Sequence, residues 1–321
     1  MGIARFLDGA LEVPVVSSFT RIGYDARSRL GHWTKLGDYQ LAGRVVVVTG
    51  ASSGLGLVAA EQFATCGATV VLLGRDGAKT ERVRDDIAAR TGNQNLDVVV
   101  ADMGDLDAVR AAAAQLQAAH PRIDVLVHNA GALTADRRVA PSGIEQTVAS
   151  QVVGPFLLTT LLLPQLRAAG PGRVVTVSSG GMYASPLRVS DLQMGDDYRG
   201  SEQYARAKRA QVTLNEMWAL HVSPHDVVFH AMHPGWADTP GVRESLPTFR
   251  KVVGPLLRTP LQGADTLVWL AADDGEPLLS SGKFWLDRAV RSIHKLPTTR
   301  RTDTPARRAE LWDWVSNAAG A

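Results

Sequence analysis

The sequence predicts an α/β fold: a three-layer, doubly wound parallel sheet of about seven strands. Short β-branched runs alternate with longer helical patterns along most of the 321 residues. The runs are continuously apolar, the pattern of strands buried on both faces by crossover helices. A glycine-rich turn closes the first run and opens a helix, as a nucleotide-binding turn does.

Residues 1–40 read as an N-terminal extension with helical character. Phe19, Ile22, Ala26, Leu30 and Trp33 recur at helical spacing, Ser17 or Ser18 is the expected cap, and Arg21, Arg27 and Arg29 lie between. The expectation is a helix packed on the domain; a weak peripheral membrane contact is the sharper alternative. Strands are expected at Val45–Thr49, Thr69–Leu73, Asp97–Ala101, Val125–His128, Val174–Ser178, Val227–Met232 and Phe284–Leu286. Helices are expected at Gly56–Cys66, Lys79–Arg90, Leu106–Ala119, Ile144–Ala168 and Ser201–Val222. No linker interrupts 41–296, which reads as one domain with right-handed crossovers. A C-terminal extension, 297–321, carries a short helix: Thr304 is its cap, Pro305 its first residue, and Leu311, Trp314, Val315 and Ala318 its packing stripe.

Bulk properties exclude several classes. Charged residues make up 21% and the net charge is +2, so no broad field suggests nucleic acid. Cys66 is the only cysteine, which rules out an internal disulfide and suits a reducing cytoplasm. Met1 to Ala10 lacks a basic start followed by an apolar run, so no secretory signal is expected. Gln146 to Leu166 is long and uncharged enough to span a membrane, yet it carries Gln151, Pro155, Pro164 and Gln165 and lies between two strands. It is expected to be a helix buried under the sheet, with no transmembrane segment.

The first strand runs into Thr49-Gly-Ala-Ser-Ser-Gly-Leu-Gly56. Gly50, Gly54 and Gly56 permit a tight turn and close backbone approach, and Ser52, Ser53 and Leu55 complete a cradle for a pyrophosphate at the helix start. This is the Rossmann-type arrangement. The second strand ends at Gly74 and Arg75, with no acid to accept the ribose hydroxyls of NAD; a guanidinium there favours the 2′-phosphate of NADP(H), with NAD(H) second. Asp76 is an alternative partner for Arg75 or the ribose. Asp102 and Met103 follow the third strand, Asp102 facing the adenine edge or else capping the next helix, a role Asp105 competes for. Asn129, Ala130 and Gly131 end the fourth strand, small enough for a close cofactor, with Asn129 bracing the sheet ends.

Tyr204 and Lys208 stand four apart, on one face of a helix. An ammonium beside a phenol is expected to lower the phenol pKa from about 10 and make it a usable proton shuttle. The pair alone is weak, because such pairs also decorate surface helices. The ordered set of Thr49–Gly56, Asn129–Gly131, Ser179, Tyr204–Lys208 and Pro234-Gly235 resembles the short-chain dehydrogenase/reductase superfamily across about Gly43 to Leu286. The long gap from Ser179 to Tyr204 and the run His233 to Val242 are similar to one branch of it whose substrate is poorly defined.

That resemblance implies an oxidoreductase interconverting a carbonyl and an alcohol by hydride transfer, while Met194, Tyr198, Trp236 and Phe249 in the long connections 180–203 and 236–260 suggest a moderately apolar small-molecule substrate. It implies Tyr204 as general acid/base and Lys208 as its tuner and a ribose ligand, with Ser179 rather than Ser178 holding the substrate oxygen. Pro234 and Gly235 would shape the loop beside the nicotinamide, and Thr239 would contact the carboxamide or phosphates. It further implies a homo-oligomer paired through the long uncharged helix and the 201–222 helix. One position departs from the pattern: Gln151 stands where the family places an asparagine that anchors a water leading to the lysine. The competing reading is a catalytically idle dinucleotide-binding sensor or scaffold. His221, His225, His230 and His233 crowd one stretch but lack metal-ligand spacing, so no metal is expected. Trp236 and Met182 read equally as pocket walls or as core filling.

Overall fold

The computed structural model describes Glu12, residues 15–245 and residues 247–320. The segment read for a secretory signal lies outside the described residues.

Among the described residues, eight strands form one sheet: β1 (Val45–Thr49), β2 (Thr69–Gly74), β3 (Leu96–Val100), β4 (Val125–His128), β5 (Gly172–Val177), β6 (Val227–Met232), β7 (Lys283–Leu286) and β8 (Ala289–Val290). Their order is β3-β2-β1-β4-β5-β6-β7-β8. The first seven are parallel and β8 pairs antiparallel with β7. Seven strands were expected. The eighth is two residues long and joined to β7 by Asp287 and Arg288, both left-handed at φ 55 and φ 53. A turn with two positive φ angles normally takes glycine or asparagine, so nothing local announced it.

The strands alternate between two cores. Val47, Val71 and Leu126 face helices Leu106–Ala119, Gly154–Arg167 and Gly200–His221. Val46, Val48, Val70 and Val127 face helices Gly54–Thr65 and Pro260–Ala272. The direction of strand order reverses between β1 and β4. Ligands in such sheets bind beyond the carboxyl ends of the strands at that point. There the glycine turn and Asn129–Gly131 meet.

The long uncharged segment lies inside the protein, with most of its apolar window buried. It is not one regular helix. A π-helical turn, Ala149–Val153, joins Gln146–Val148 to Gly154–Arg167. Such turns cluster at functional sites.

In the N-terminal extension, helices span Val15–Phe19 and Arg21–Gly31. Neither Ser17 nor Ser18 caps the second. Thr20 holds that position without a side-chain cap bond, and the Ser18 hydroxyl accepts from Arg27 instead. The expected apolar stripe is also displaced. Ile22 and Leu30 are 48% and 41% exposed, while Gly23 and Arg27 are buried. Arg27 goes inward because Asp287 waits there at 2.7 Å.

The C-terminal helix, Pro305–Ala319, starts as expected: Thr304 accepts from Arg307 N and Pro305 is the first residue. Leu311 and Val315 are fully buried, and Trp312 packs on Phe156, Trp218 and His221. Leu311→Ala should therefore cost about 2–4 kcal/mol of unfolding free energy, as deletion of a buried leucine does. Urea denaturation reads this directly, and a change under about 0.5 kcal/mol, the surface-substitution range, would show the helix is only loosely seated.

Candidate active site

The glycine turn is built for close approach. Gly50 and Gly54 adopt φ 66 and φ 58. A Cβ on Gly50 would sit 2.8 Å from Ala130 Cα, and one on Gly56 would sit 2.3 Å from Asn129 Nδ2. Ser53 occupies the cap position of helix Gly54–Thr65 yet makes no side-chain cap bond, which leaves the positive end of that helix for an anion. Ser52 is half-buried and Ser53 exposed at this rim, and Leu55 turns back toward Gly263. Asn129 does brace the sheet: its Nδ2 donates to Thr49 O at 3.0 Å and Gly50 O at 3.2 Å. Thr49 Oγ1 accepts from the backbone of Asn129 and Ala130.

Arg75 is exposed at the tip of β2. Asp76 does not pair with it: Asp76 caps helix Gly77–Thr91 through Lys79 N at 3.0 Å. Gly74 has its own reason to lack a side chain, since a Cβ there would lie 2.3 Å from Thr80 Oγ1. Asp102 accepts from Gly104 N at 2.8 Å, while Asp105 caps helix Leu106–Ala119. Met103 is buried, and its carbonyl lies against Gly154.

At the reacting end, helix Gly200–His221 places Tyr204 and Lys208 on one face, with Lys208 Nζ 5.2 Å from the Tyr204 ring centre. Ser179 lies near enough to the Tyr204 hydroxyl to favour its ionised form. Ser178 points elsewhere, donating to Lys208 O at 3.3 Å inside the core. The structure thus brings together Ser179, Tyr204 and Lys208, on the same side of the sheet as Asn129 and Gly131.

The expected electrostatic tuning does not hold in this form. Burial pushes the Tyr204 phenol up to about 12, only partly offset by the Ser179 side chain. Burial also pushes the Lys208 ammonium down to about 7. Lys208 donates to Val177 O at 2.9 Å, which satisfies the amine without a counter-charge. In a low-dielectric site with no anion beside it, each group favours its neutral form, and desolvation outweighs their mutual attraction.

Gln151 sits in the π-helical turn, fully buried. Its Nε2 donates to Ala132 O at 2.8 Å, its carbonyl accepts from Gln211 Nε2 at 2.6 Å, and its Oε1 meets the place where Gly131 would carry a Cβ. It shapes the wall beneath Gly131 and does not touch Lys208 by a hydrogen bond. With His128 and Gln211 it lines an internal cavity of about 30 Å³. Gln211 was missed from the sequence. The signal was present: a polar residue three positions after Lys208, on the apolar side of the helix.

Pro234 is half-buried and Gly235 left-handed at φ 71, and Thr239 reaches to within 3.8 Å of a Cβ built on Gly54. The post-β6 loop therefore closes over the glycine turn. Met182 is fully buried core, whereas Trp236 is half-exposed, packed on Phe19 and Phe249. The four clustered histidines have separate tasks. His221 stacks on Trp312, His225 starts a turn with Ser223, His230 bonds Pro277 O and Trp285, and His233 packs on Phe19.

Fold and site together define a class: oxidoreductases acting on CH–OH and C=O groups with a nicotinamide dinucleotide. The chain belongs to the short chain dehydrogenase family, whose pattern matches residues 44–248. Dehydrogenase/reductase SDR family member 12 of Homo sapiens is 38% identical over 305 residues, covering 94% of each chain. Retinol dehydrogenase 11 of Homo sapiens is 33% identical over 278 residues, covering 85% of each. A short chain dehydrogenase of Escherichia coli CFT073, solved with NADPH, superposes with TM-score 0.64 at 26% identity, covering 80% of this chain and 100% of that one.

Proposed function

We propose that this chain reduces a moderately apolar aldehyde or ketone with NADPH, with Tyr204 as the proton donor. The observation that carries the reading is the convergence of Ser179 and Lys208 on Tyr204, with Lys208 Nζ 5.2 Å from the ring centre and Ser179 lowering the phenol pKa. When bound, the dihydronicotinamide supplies the hydride. Ser179 Oγ donates to the substrate oxygen as charge develops on it. Tyr204 Oη gives its proton to that oxygen, which leaves an alcohol and a tyrosinate. The raised phenol pKa suits this direction, because the proton is in place at neutral pH. Lys208, near its midpoint, then stabilises the tyrosinate until a proton returns.

The residues present fit a dinucleotide. Gly50, Ser52, Ser53, Gly54, Leu55 and Gly56 would hold the pyrophosphate, Asp102 and Met103 the adenine side, and Asn129 to Gly131 the nicotinamide ribose side. NADPH is preferred because Arg75 is exposed and uncommitted to Asp76, and because Thr80 bars an acid at position 74. The E. coli neighbour solved with NADPH supports the same choice. The retinol dehydrogenase relative supports an apolar substrate.

Loss of NADPH absorbance with a panel of aldehydes, ketones and quinones tests the reaction. Arg75→Ala should raise KM for NADPH about tenfold or more, the worth of a charge-assisted hydrogen bond, and leave KM for NADH alone. Equal effects on both cofactors would remove Arg75 from the 2′-phosphate.

The same proposal places the 41–296 unit as the catalytic domain in the cytoplasm, with 1–40 and 297–321 as accessory extensions. Exposed Ile22 and Leu30 beside Arg21 and Arg29 supply a weak peripheral membrane contact at most. Pairing of two copies, expected through helices Gly154–Arg167 and Gly200–His221, meets the chain's own C-terminal helix near Phe156 and Trp218. A homo-oligomer would use the rest of that face.

A further inference from the structure

We infer that residues Ser17–Arg27 are a built-in clamp on the Pro234–Thr239 loop, and that Phe19, Arg258 and Asp287 are positioning residues for cofactor binding. The inference rests on the reading above that this loop borders the dinucleotide.

The loop is tied at both edges. On one side, Trp236 N donates to Phe19 O at 2.7 Å. On the other, Ala237 bridges Arg258: Arg258 N donates to Trp236 O at 2.8 Å, and Asp238 N to Arg258 O at 2.9 Å. Arg258 then links the two edges through its side chain. Its guanidinium is fully buried and donates to Phe19 O at 3.0 Å, Ser18 O at 2.9 Å and Thr20 O at 3.3 Å. The same fork grips both oxygens of Asp287, at 2.5 and 2.9 Å. Asp287 also takes Arg27 from the extension at 2.7 Å.

A guanidinium has five donors in fixed directions, so few backbone arrangements satisfy it. Here the acceptors come from the extension, the β7–β8 turn and, at 3.4 Å, the Pro234 carbonyl of the loop itself. Gly235 is shaped to this: a Cβ on it would lie 2.2 Å from Arg258 Nε. The aromatic side agrees. Phe19 packs edge-to-face with His233 and Trp236, ring centres 4.4 and 5.8 Å apart, and it lies against Gly180, next to Ser179.

The loop is therefore held from outside the glycine turn, by the extension and the β7–β8 turn. A loop already ordered costs less to close on a ligand. The extension's role is to raise cofactor affinity by keeping the loop competent, without touching the reacting atoms.

Phe19→Ala tests this, with NADPH affinity read by fluorescence titration and loop order by hydrogen exchange. The Kd for NADPH should rise about tenfold, the shift expected when roughly one-tenth of molecules hold the competent loop. At saturating NADPH, kcat should stay within about threefold, since the conformational cost falls on binding. The amides of Trp236, Asp238 and Thr239 should exchange faster and regain protection when NADPH is added. Phe19→Leu, which keeps most of the packing, should fall between the two, and it carries the test if the alanine variant does not fold. An NADPH Kd within twofold of the parent in a folded variant would overturn the clamp alone, as would exchange that rises equally in strands β1 to β7. Failure of the parent protein to bind NADPH would overturn the clamp together with the cofactor reading.

Discussion

Tyr204→Phe should lower kcat for carbonyl reduction by about a thousandfold, inside the range of 10²–10⁴ that general acid catalysis contributes. The substitution removes one oxygen and its proton. The phenylalanine ring keeps the buried volume on helix Gly200–His221, and Lys208 retains its bond to Val177 O. Ser179 loses its hydroxyl neighbour but stays anchored by accepting from Gly181 N at 3.3 Å. NADPH binding should therefore change by only a few-fold, because the glycine turn and Arg75 are untouched. A steady-state assay paired with a binding titration separates the two effects. A variant that kept more than about a tenth of parental turnover, well short of the general-acid range, would remove Tyr204 from proton transfer. Absence of turnover in the parent as well, with tight NADPH binding in both, would support the idle sensor over the enzyme.

The second large effect concerns acid. Burial pushes His128 down to about 3, His230 to about 4 and His233 to about 3. Each lies at or below 4% exposure. Their folded pKa values are below the unfolded value of about 6.5, so the unfolded chain binds more protons between these limits. Stability is fully present above about pH 6.5 and is lost as pH falls toward 3 to 4. At pH 5 each histidine should cost roughly 2 kcal/mol relative to pH 7, and the three together about 6 kcal/mol. Urea unfolding at the two pH values measures this. An unchanged midpoint would mean the histidines find a route to water that the packing does not offer. Lys208 acts in a different window. Its folded value near 7 lies below an unfolded value of about 10.5, so it makes stability rise with pH between these limits and adds nothing to the acid loss.

Much of the fold was legible because its signals are local. Strands β1, β4 and β6 fall where the apolar runs put them, since a strand buried on both faces admits little else. Thr304 and Asp105 announced their helices because a cap needs one acceptor at one position. Strand β8 was invisible, because the Asp287–Arg288 turn breaks the residue preferences for positive φ. Ion pairs to Arg27, Arg258 and Asp265 hold it, drawn from the N-terminal extension and from the start of helix Pro260–Ala272. Ser17 and Ser18 misled for a related reason: the Ser18 hydroxyl was taken by Arg27, nearly two turns inside helix Arg21–Gly31.

The spacing of Tyr204 and Lys208, the serine ahead of them and the glycines after the first strand were properties of the chain alone. A helix has a fixed pitch and a turn a fixed reach, so order in sequence becomes order in space. The protonation of that pair was not. It depends on how much water the fold excludes and which carbonyl the lysine finds, and burial settled both against the charge that proximity suggested. The inward turn of Arg27 and the reach of Phe19 to the post-β6 loop were decided likewise. They depend on partners more than two hundred residues away, and only the packed molecule brings those together.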